Sequence, residues 1–356
     1  MKTIIRVPCS SANIGPGFDV IGLALSIYLE LHVSLDANAA SSPLNCTITY
    51  EGLGAGEVPL IADQNLITQS ALYVLRCHGR HAFPAGTLVH IINPIPLGRG
   101  LGSSGAAVVA GVILGSVVGA FNLSKERILD YVLMIERHPD NVAAALYGGF
   151  VGTYLRELDP ADMVRVEIPL SEVLPAPAGG VDTGLRPPEP PVGIGHYIKF
   201  KWAAEIRCIA IIPDFEVKTA DARGVLPESY PRSHVTYNLQ RITLLPVALS
   251  QSPPDPELIY EAMRDKIHQP YRKVLIPGLS EVIESISPKS HPGLLGICLS
   301  GAGPTILALA TENFDHIATS IVKVLVQQKF DGKPVTCQWK LLQPAEDGAT
   351  ITVVES

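Results

Sequence analysis

One stretch narrows the possible folds more than any other. From Pro94 the chain reads Pro-Ile-Pro-Leu-Gly-Arg-Gly-Leu-Gly-Ser-Ser-Gly-Ala-Ala, then continues in small and branched apolar residues to Phe121. Before it, Thr87-Leu-Val-His-Ile-Ile92 has the look of a strand. Gly98, Gly100, Gly102 and Gly105 allow positive φ and close approach of a ligand to the backbone. Ser103 and Ser104 bring hydroxyls to the first turn of the helix that follows. A glycine loop opening a helix points unpaired N–H groups and the positive end of the helix dipole at its occupant. Such an arrangement suits an anion, most often a phosphate.

Four readings of this stretch compete. Residues 100 to 124 carry no charge, which is long enough for a membrane span, and Gly111, Gly115 and Gly119 even supply a GxxxG pattern. Against a span stand the polar opening, the many glycines and the lack of any second such segment. Gly100, Gly102 and Gly105 fit GxGxxG, but Asn93-Pro-Ile-Pro96 separates strand from loop and no parallel βαβ series follows. A P-loop needs a lysine, and none lies between Lys2 and Lys125. A phosphate loop of another kind, with serine hydroxyls in place of the lysine, remains.

The 356 residues suit two domains. Hydrophobic residues at 47% and charged ones at 17% allow a real core, and the net charge of −7 argues against nucleic acid or an anionic membrane as partner. Six cysteines without a CxxC pair read as reduced thiols, and the N-terminus lacks the apolar core of a signal peptide, so a cytoplasmic protein is expected. Zinc is not expected, as HExxH and paired Cys/His spacings are missing. Strands are predicted at 4–7, 45–50, 206–212, 294–299, 305–310 and 349–354, and helices at 65–78, from 124 towards 137, 235–249, 256–268 and 313–327. Residues 21–35 fit strand or helix. Helices and strands mix throughout, so the class is α+β. Prolines 175, 177, 187, 188, 190 and 191, interleaved with glycines, mark 173–201 as an insertion or linker between domains at 1–172 and 202–356.

Three stretches together resemble the GHMP family of small-molecule kinases: Pro8-Cys-Ser-Ser-Ala-Asn-Ile-Gly-Pro-Gly-Phe-Asp19, Pro96-Leu-Gly-Arg-Gly-Leu-Gly-Ser-Ser104 and Leu299-Ser-Gly-Ala-Gly-Pro-Thr305. Glu136-Arg-His-Pro-Asp-Asn-Val142, Thr219-Ala-Asp-Ala-Arg223 and His268-Gln-Pro-Tyr-Arg272 are similar to the branch acting on homoserine, in its fungal form. The resemblance spans nearly the whole chain. It implies an N-terminal domain like ribosomal protein S5 domain 2, a ferredoxin-like C-terminal domain, and ATP with Mg²⁺ between them. It further implies phosphorylation of the L-homoserine hydroxyl, with a homodimer as the usual assembly.

By the same resemblance the ATP phosphates lie along Pro96, Leu97, Gly98, Arg99, Gly100, Leu101, Gly102, Ser103, Ser104, Gly105 and Ala106. Ser104, or Ser103 beside it, is the implied Mg²⁺ hydroxyl, against plain helix capping. Glu136 is the implied metal acid, with Asp130 as its alternative. A zwitterionic amino acid needs guanidinium forks for its carboxylate, here Arg223 and Arg272, and an acid for its ammonium, here Asp19. Asn13, His138 and Asn141 are implied to line the pocket, Asn141 nearest the reacting hydroxyl, with Thr219 orienting the hydroxyl or the γ-phosphate. Ser300, Gly301, Ala302 and Gly303 either brace the phosphate loop or form an ordinary hairpin turn. Several relatives carry an aspartate where this chain has Asn141. An amide cannot take up a proton as a base, so transfer without a dedicated side-chain base is expected.

Overall fold

The structure is a computed structural model and describes residues 2–36, 38–39, 42–136, 138–157 and 187–354. In chain order the first half holds β1 (Lys2–Ala12), β2 (Ile21–Leu35), β3 (Cys46–Gly52), α1 (Leu66–Cys77), β4 (Thr87–Asn93), α2 (Ser103–Gly119), α3 (Lys125–Ile135), α4 (Pro139–Tyr147), β5 (Phe150–Leu155) and β6 (Gly195–Phe200). The second holds β7 (Arg207–Pro213), α5 (Thr219–Gly224), α6 (Arg232–Ala248), α7 (Pro256–Ala262), α8 (Gln269–Arg272), α9 (Leu279–Ser285), β8 (Leu294–Leu299), β9 (Ile306–Ala310), α10 (Phe314–Leu325), β10 (Cys337–Leu342) and β11 (Thr350–Val354).

Residues 21–35, which fitted strand or helix, are a strand. From Leu25 onward buried and half-buried residues alternate, the period-2 signature of a sheet with one face covered. β2 is the spine of a seven-stranded sheet: it pairs antiparallel with β1, β4 and β5. β6 extends that sheet beyond β5, β3 joins β4 in parallel, and β11 returns to the edge of β1. Two sequence-based domain boundaries shift accordingly. The 173–201 stretch ends in a strand of the first sheet, and the last strand of the 202–356 half belongs to that sheet too. Pro175 and Pro177 lie outside the described residues.

The second sheet has the order β10-β7-β9-β8, all antiparallel. Numbered along the chain that order is 4-1-3-2, the βαββαβ arrangement of a ferredoxin-like domain. β7 is buried on both faces. Cys208, Ala210 and Ile212 join the core shared with the first half, while Ile209 and Ile211 join a second core under α9 and α10. The six cysteines are all thiols, and five are buried.

The charge-free run becomes α2, buried on nearly every side. Its glycines serve close helix packing. A Cβ on Gly111 would lie 2.2 Å from the Ile67 carbonyl oxygen, and one on Gly115 would lie 2.8 Å from that of Ala71, so α1 crosses at backbone distance. Among the described residues no helix is long and apolar enough to cross a membrane. One predicted helix is shorter than expected: 256–268 stops at Ala262. Beyond it the Asp265 carboxylate accepts the N–H groups of Ile267, His268 and Gln269, which turns the chain sharply instead.

Candidate active site

The phosphate loop leaves β4 through Asn93, whose side-chain oxygen accepts the Ile95 N–H at 3.0 Å. Gly98, Gly100 and Gly102 take φ of 62°, 78° and 63°. Gly105 differs from the other three: it is the third residue of α2, with no positive φ, and a Cβ there would meet Val142 and Asn141 of α4 at 3.4 and 3.5 Å, ordinary contact. Pro96 and Leu101 are buried and anchor the loop, whereas Leu97 turns towards the open cleft. The Ala106 N–H makes an early helical bond, to Gly102 O at 2.9 Å. The helix cap is Gly102 and uses no side chain, which removes the capping explanation for Ser103 and Ser104. Among the described residues neither hydroxyl has a hydrogen bond, and Ser104 is exposed at the mouth of the loop. A cavity of about 430 Å³ opens beside them, lined by Tyr50, Pro59, Asn65, Leu97, Ser103 and Ser104 among others.

The turn at Ser300, Gly301, Ala302 and Gly303 lies directly against this loop. The Ser300 hydroxyl donates to Gly100 O at 2.6 Å, and the Thr305 N–H to Arg99 O at 3.2 Å. A Cβ on Gly100 would sit 2.4 Å from Ser300 O. From β1, Ser11 Oγ lies 2.7 Å from Ser300 Oγ, while Ser10 donates its N–H to Leu101 O at 3.2 Å and its hydroxyl to Asn141 Oδ1 at 3.0 Å. Two adjacent serines on one strand thereby tie together the phosphate loop, the late glycine turn and the first turn of α4.

A second polar cluster is built from both halves. Arg223, on α5, donates through Nη2 to Asp19 Oδ1 and Oδ2 at 2.9 and 3.1 Å, and to His138 Nδ1 at 2.5 Å. Thr219 lies one turn earlier on the same helix, exposed, at the spacing that shares a face with Arg223. Arg272 is buried; its Nε donates to Ala222 O at 3.1 Å and its Nη1 to Gly301 O at 2.9 Å. Burial, followed by the charge of Arg223, lowers its pKa to about 10. Phe18 lies between the two guanidinium groups, 5.6 Å from Arg223 and 5.1 Å from Arg272. Asn13 uses both ends of its amide within the protein: Oδ1 accepts the Asp19 N–H and Nδ2 donates to Gly301 O.

Three carboxyls, one within α3, one at its end and one in the first turn of α4, differ in surroundings. Asp130 is structural in its contacts, accepting the N–H groups of Gly193 and Ile194 at 3.1 and 2.8 Å and pairing with Arg127 at 3.0 Å. Glu136 caps the end of α3 and is buried. Asp140 went unassigned in the sequence reading. Its Oδ1 accepts the Asn141 N–H at 2.8 Å, and its Oδ2 is buried without a partner among the described residues. Burial, and then the negative charge of Asp19, push its carboxyl up to about 7. Ser10 and Asp140 sit inside motifs that were already visible. The cavity residues Tyr50, Pro59 and Asn65 come from segments with no motif, and only folding brings them to the loop.

Comparison with known proteins agrees with this geometry. Residues 65–149 match the family described as GHMP kinases N terminal domain, and 247–324 match GHMP kinases C terminal. The chain belongs to the GHMP kinases, two-domain enzymes that use ATP. It is 58% identical to a homoserine kinase of Saccharomyces cerevisiae over 98% of each chain, and 49% identical to one of Schizosaccharomyces pombe, again over 98% of each. A crystal structure of homoserine kinase from Cytophaga hutchinsonii superposes with a TM-score of 0.72 at 26% identity, covering 99% of this chain and 97% of that one. Mevalonate kinase of L. major shares the fold, with a TM-score of 0.59 at 14% identity.

Proposed function

We propose that this enzyme transfers the γ-phosphoryl group of ATP to the side-chain hydroxyl of L-homoserine, giving O-phospho-L-homoserine on the route to threonine. The observation that carries the reading is the Arg223–Asp19 pair beside His138. A cation and an anion held side by side match the two charges of a free amino acid, and each half of the pair is satisfied by the substrate when the pair opens. Similarity to homoserine kinases over nearly the whole chain supports the same reading.

The triphosphate lies on the Gly98–Ala106 loop, held by backbone N–H groups and the α2 dipole, with its nucleoside in the neighbouring cavity. The residues fit Mg²⁺: the Ser104 hydroxyl is exposed and unengaged, Glu136 supplies an acid, and Mg²⁺ takes its remaining ligands from phosphate and water. When bound, the ion supplies neutralisation of phosphate charge. Asn141 aligns the acceptor hydroxyl, Arg223 and Arg272 draw the carboxylate, and Asp19 draws the ammonium. The hydroxyl proton passes to phosphate or water, with no side-chain base. Domains at 1–172 and 202–356, with β6 and β11 completing the first sheet, form the cytoplasmic enzyme.

It assembles as a homodimer, a reading supported by Val235, Leu239 and Val247, which face solvent along α6. The deciding experiment is ADP release from the wild-type protein, with L-homoserine compared with mevalonate. Turnover on L-homoserine alone supports the proposal; turnover on mevalonate, or nucleotide binding with no turnover, overturns it.

A further inference from the structure

The loop that presents Asp19 is held in an unfavourable shape. Asn13, Ile14, Gly15 and Asp19 have φ of 75°, 34°, 72° and 56°. Non-glycine residues keep such angles only where their surroundings over-determine them. Part of the restraint is local, since the Gly17 N–H reaches Asn13 O at 2.9 Å. The rest comes from the second half of the chain. His268 Nε2 lies 2.7 Å from Gly15 O, and a carbonyl only accepts, so that nitrogen carries the proton. Asn238 donates to Pro16 O at 3.3 Å and to Asp265 Oδ1 at 2.7 Å. The His268 ring stacks on Phe18 with centroids 5.5 Å apart.

One carboxylate organises these donors. Asp265, with a fully buried side chain, accepts the Ile267, His268 and Gln269 N–H groups as well as the Asn238 amide. The Asn238 oxygen in turn accepts the Lys266 N–H at 2.9 Å. Burial alone raises the Asp265 carboxyl, but His268 and these donors outweigh it and hold it below its usual value. Burial lowers His268 in turn. His268 also caps the short helix that ends in Arg272. The same buried turn therefore sets both Asp19, through the loop, and Arg272.

We propose that Asp265, His268 and Asn238 are positioning residues for the amino-acid end of the site: without touching substrate, they hold the Gly15–Asp19 loop in its receptive shape. The inference rests on the reading of L-homoserine as acceptor. It locates specificity for the amino acid in a buried layer behind the binding residues. The ATP loop has bracing of its own, from the Ser10 N–H on Leu101 O and the Ser300 hydroxyl on Gly100 O.

The test uses His268→Phe, which keeps a ring on Phe18 and removes the donor, and His268→Gln, which returns an N–H. His268→Phe is expected to raise KM for L-homoserine about tenfold, the worth of one such bond, with KM for ATP and kcat little changed, and His268→Gln to recover most of that loss. In substrate-free protein, amide exchange across residues 13–20 is expected to accelerate in His268→Phe and not in His268→Gln. A lowered Tm with unchanged KM and unchanged exchange overturns the proposal. If wild-type enzyme does not turn over L-homoserine, the functional reading fails, and amide exchange still decides the positioning role. Should His268→Phe not fold, Asn238→Ser goes through the same two measurements, with the same outcomes expected.

Discussion

The Ser10 hydroxyl donates to the Asn141 amide oxygen across 3.0 Å, and this fixes the orientation of the amide. With Oδ1 turned to Ser10, the Nδ2 donors are the end of Asn141 that the proposed mechanism directs at the acceptor hydroxyl. Ser10→Ala frees the amide to turn, and kcat is expected to fall about tenfold with KM for L-homoserine nearly unchanged, as for a lost alignment. Asn141→Asp replaces the donor with an acceptor and is expected to lower kcat. A rate above wild type would overturn the base-free mechanism.

Asp140 offers a sharper test of that mechanism. Its carboxyl stands at about 7 in the free protein, raised by burial and by Asp19. A substrate ammonium beside Asp19 lowers it again, so L-homoserine binding is expected to release a proton near pH 6.5. Calorimetry in buffers of different ionisation enthalpy reads this directly. kcat/KM for L-homoserine then shows a limb near that value while kcat stays flat. A matching limb in kcat would make Asp140 a general base. Stability follows the same shift. Between the unfolded value of about 4 and about 7 the native state binds the extra proton, so the group lowers stability as pH rises through that window. Asp140→Asn is therefore expected to have the higher Tm at pH 8, with the gap closing towards pH 4.

Two glycines of one motif are expected to respond differently. Gly100 has φ of 78°, and a Cβ there meets Ser300 O at 2.4 Å. Gly105 is helical, and its Cβ would find Val142 at 3.4 Å, close to ordinary contact. Gly100→Ala is expected to raise KM for ATP at least about tenfold by prising apart two backbones, whereas Gly105→Ala stays within about twofold. Equal effects would contradict the bracing of the loop by Ser300.

Those two glycines also mark how far sequence reaches. The motif located the loop and helix α2, and its charge-free run was legible as one segment. The approach of Ser300 to Gly100 across 200 residues, and of Ser10 to Gly102, is encoded in no local pattern. Arg223, Asp19 and His138 were legible as separate candidates, but their meeting follows from the docking of α5 on the Gly15–Asp19 loop. Asp140 was passed over because a carboxyl's role lies in its burial, which spacing does not report. β6 was lost among prolines and glycines, since its pairing with β5 is set by tertiary contact.

Arg223 and Arg272, read alike from sequence, are expected to separate on mutation. Arg223 reaches the side chains of Asp19 and His138, so Arg223→Ala is expected to raise KM for L-homoserine by about a hundredfold, as loss of a charge-assisted contact implies, with Tm little altered. Arg272 also ties Ala222 O to Gly301 O from a buried position. Arg272→Ala is expected to lose substrate affinity and also several degrees of Tm. Thermal melts beside steady-state kinetics check both.

The choice of metal acid comes down to Asp130 or Glu136. Asp130 gives its oxygens to Gly193, Ile194 and Arg127, which fastens the chain ahead of β6 to α3. Asp130→Asn leaves one acceptor for those donors, while Arg127 keeps Glu189 at 3.3 Å, and is expected to cost about 2 kcal/mol of stability. Its Mg²⁺ requirement should match wild type. Glu136→Gln removes charge at the end of α3 beside the α4 motif and is expected to raise the Mg²⁺ concentration for half-maximal rate about tenfold or more. Mg²⁺ titrations of both variants at saturating ATP, with melting curves alongside, distinguish the two. A raised Mg²⁺ requirement in Asp130→Asn with a normal one in Glu136→Gln would exchange their roles.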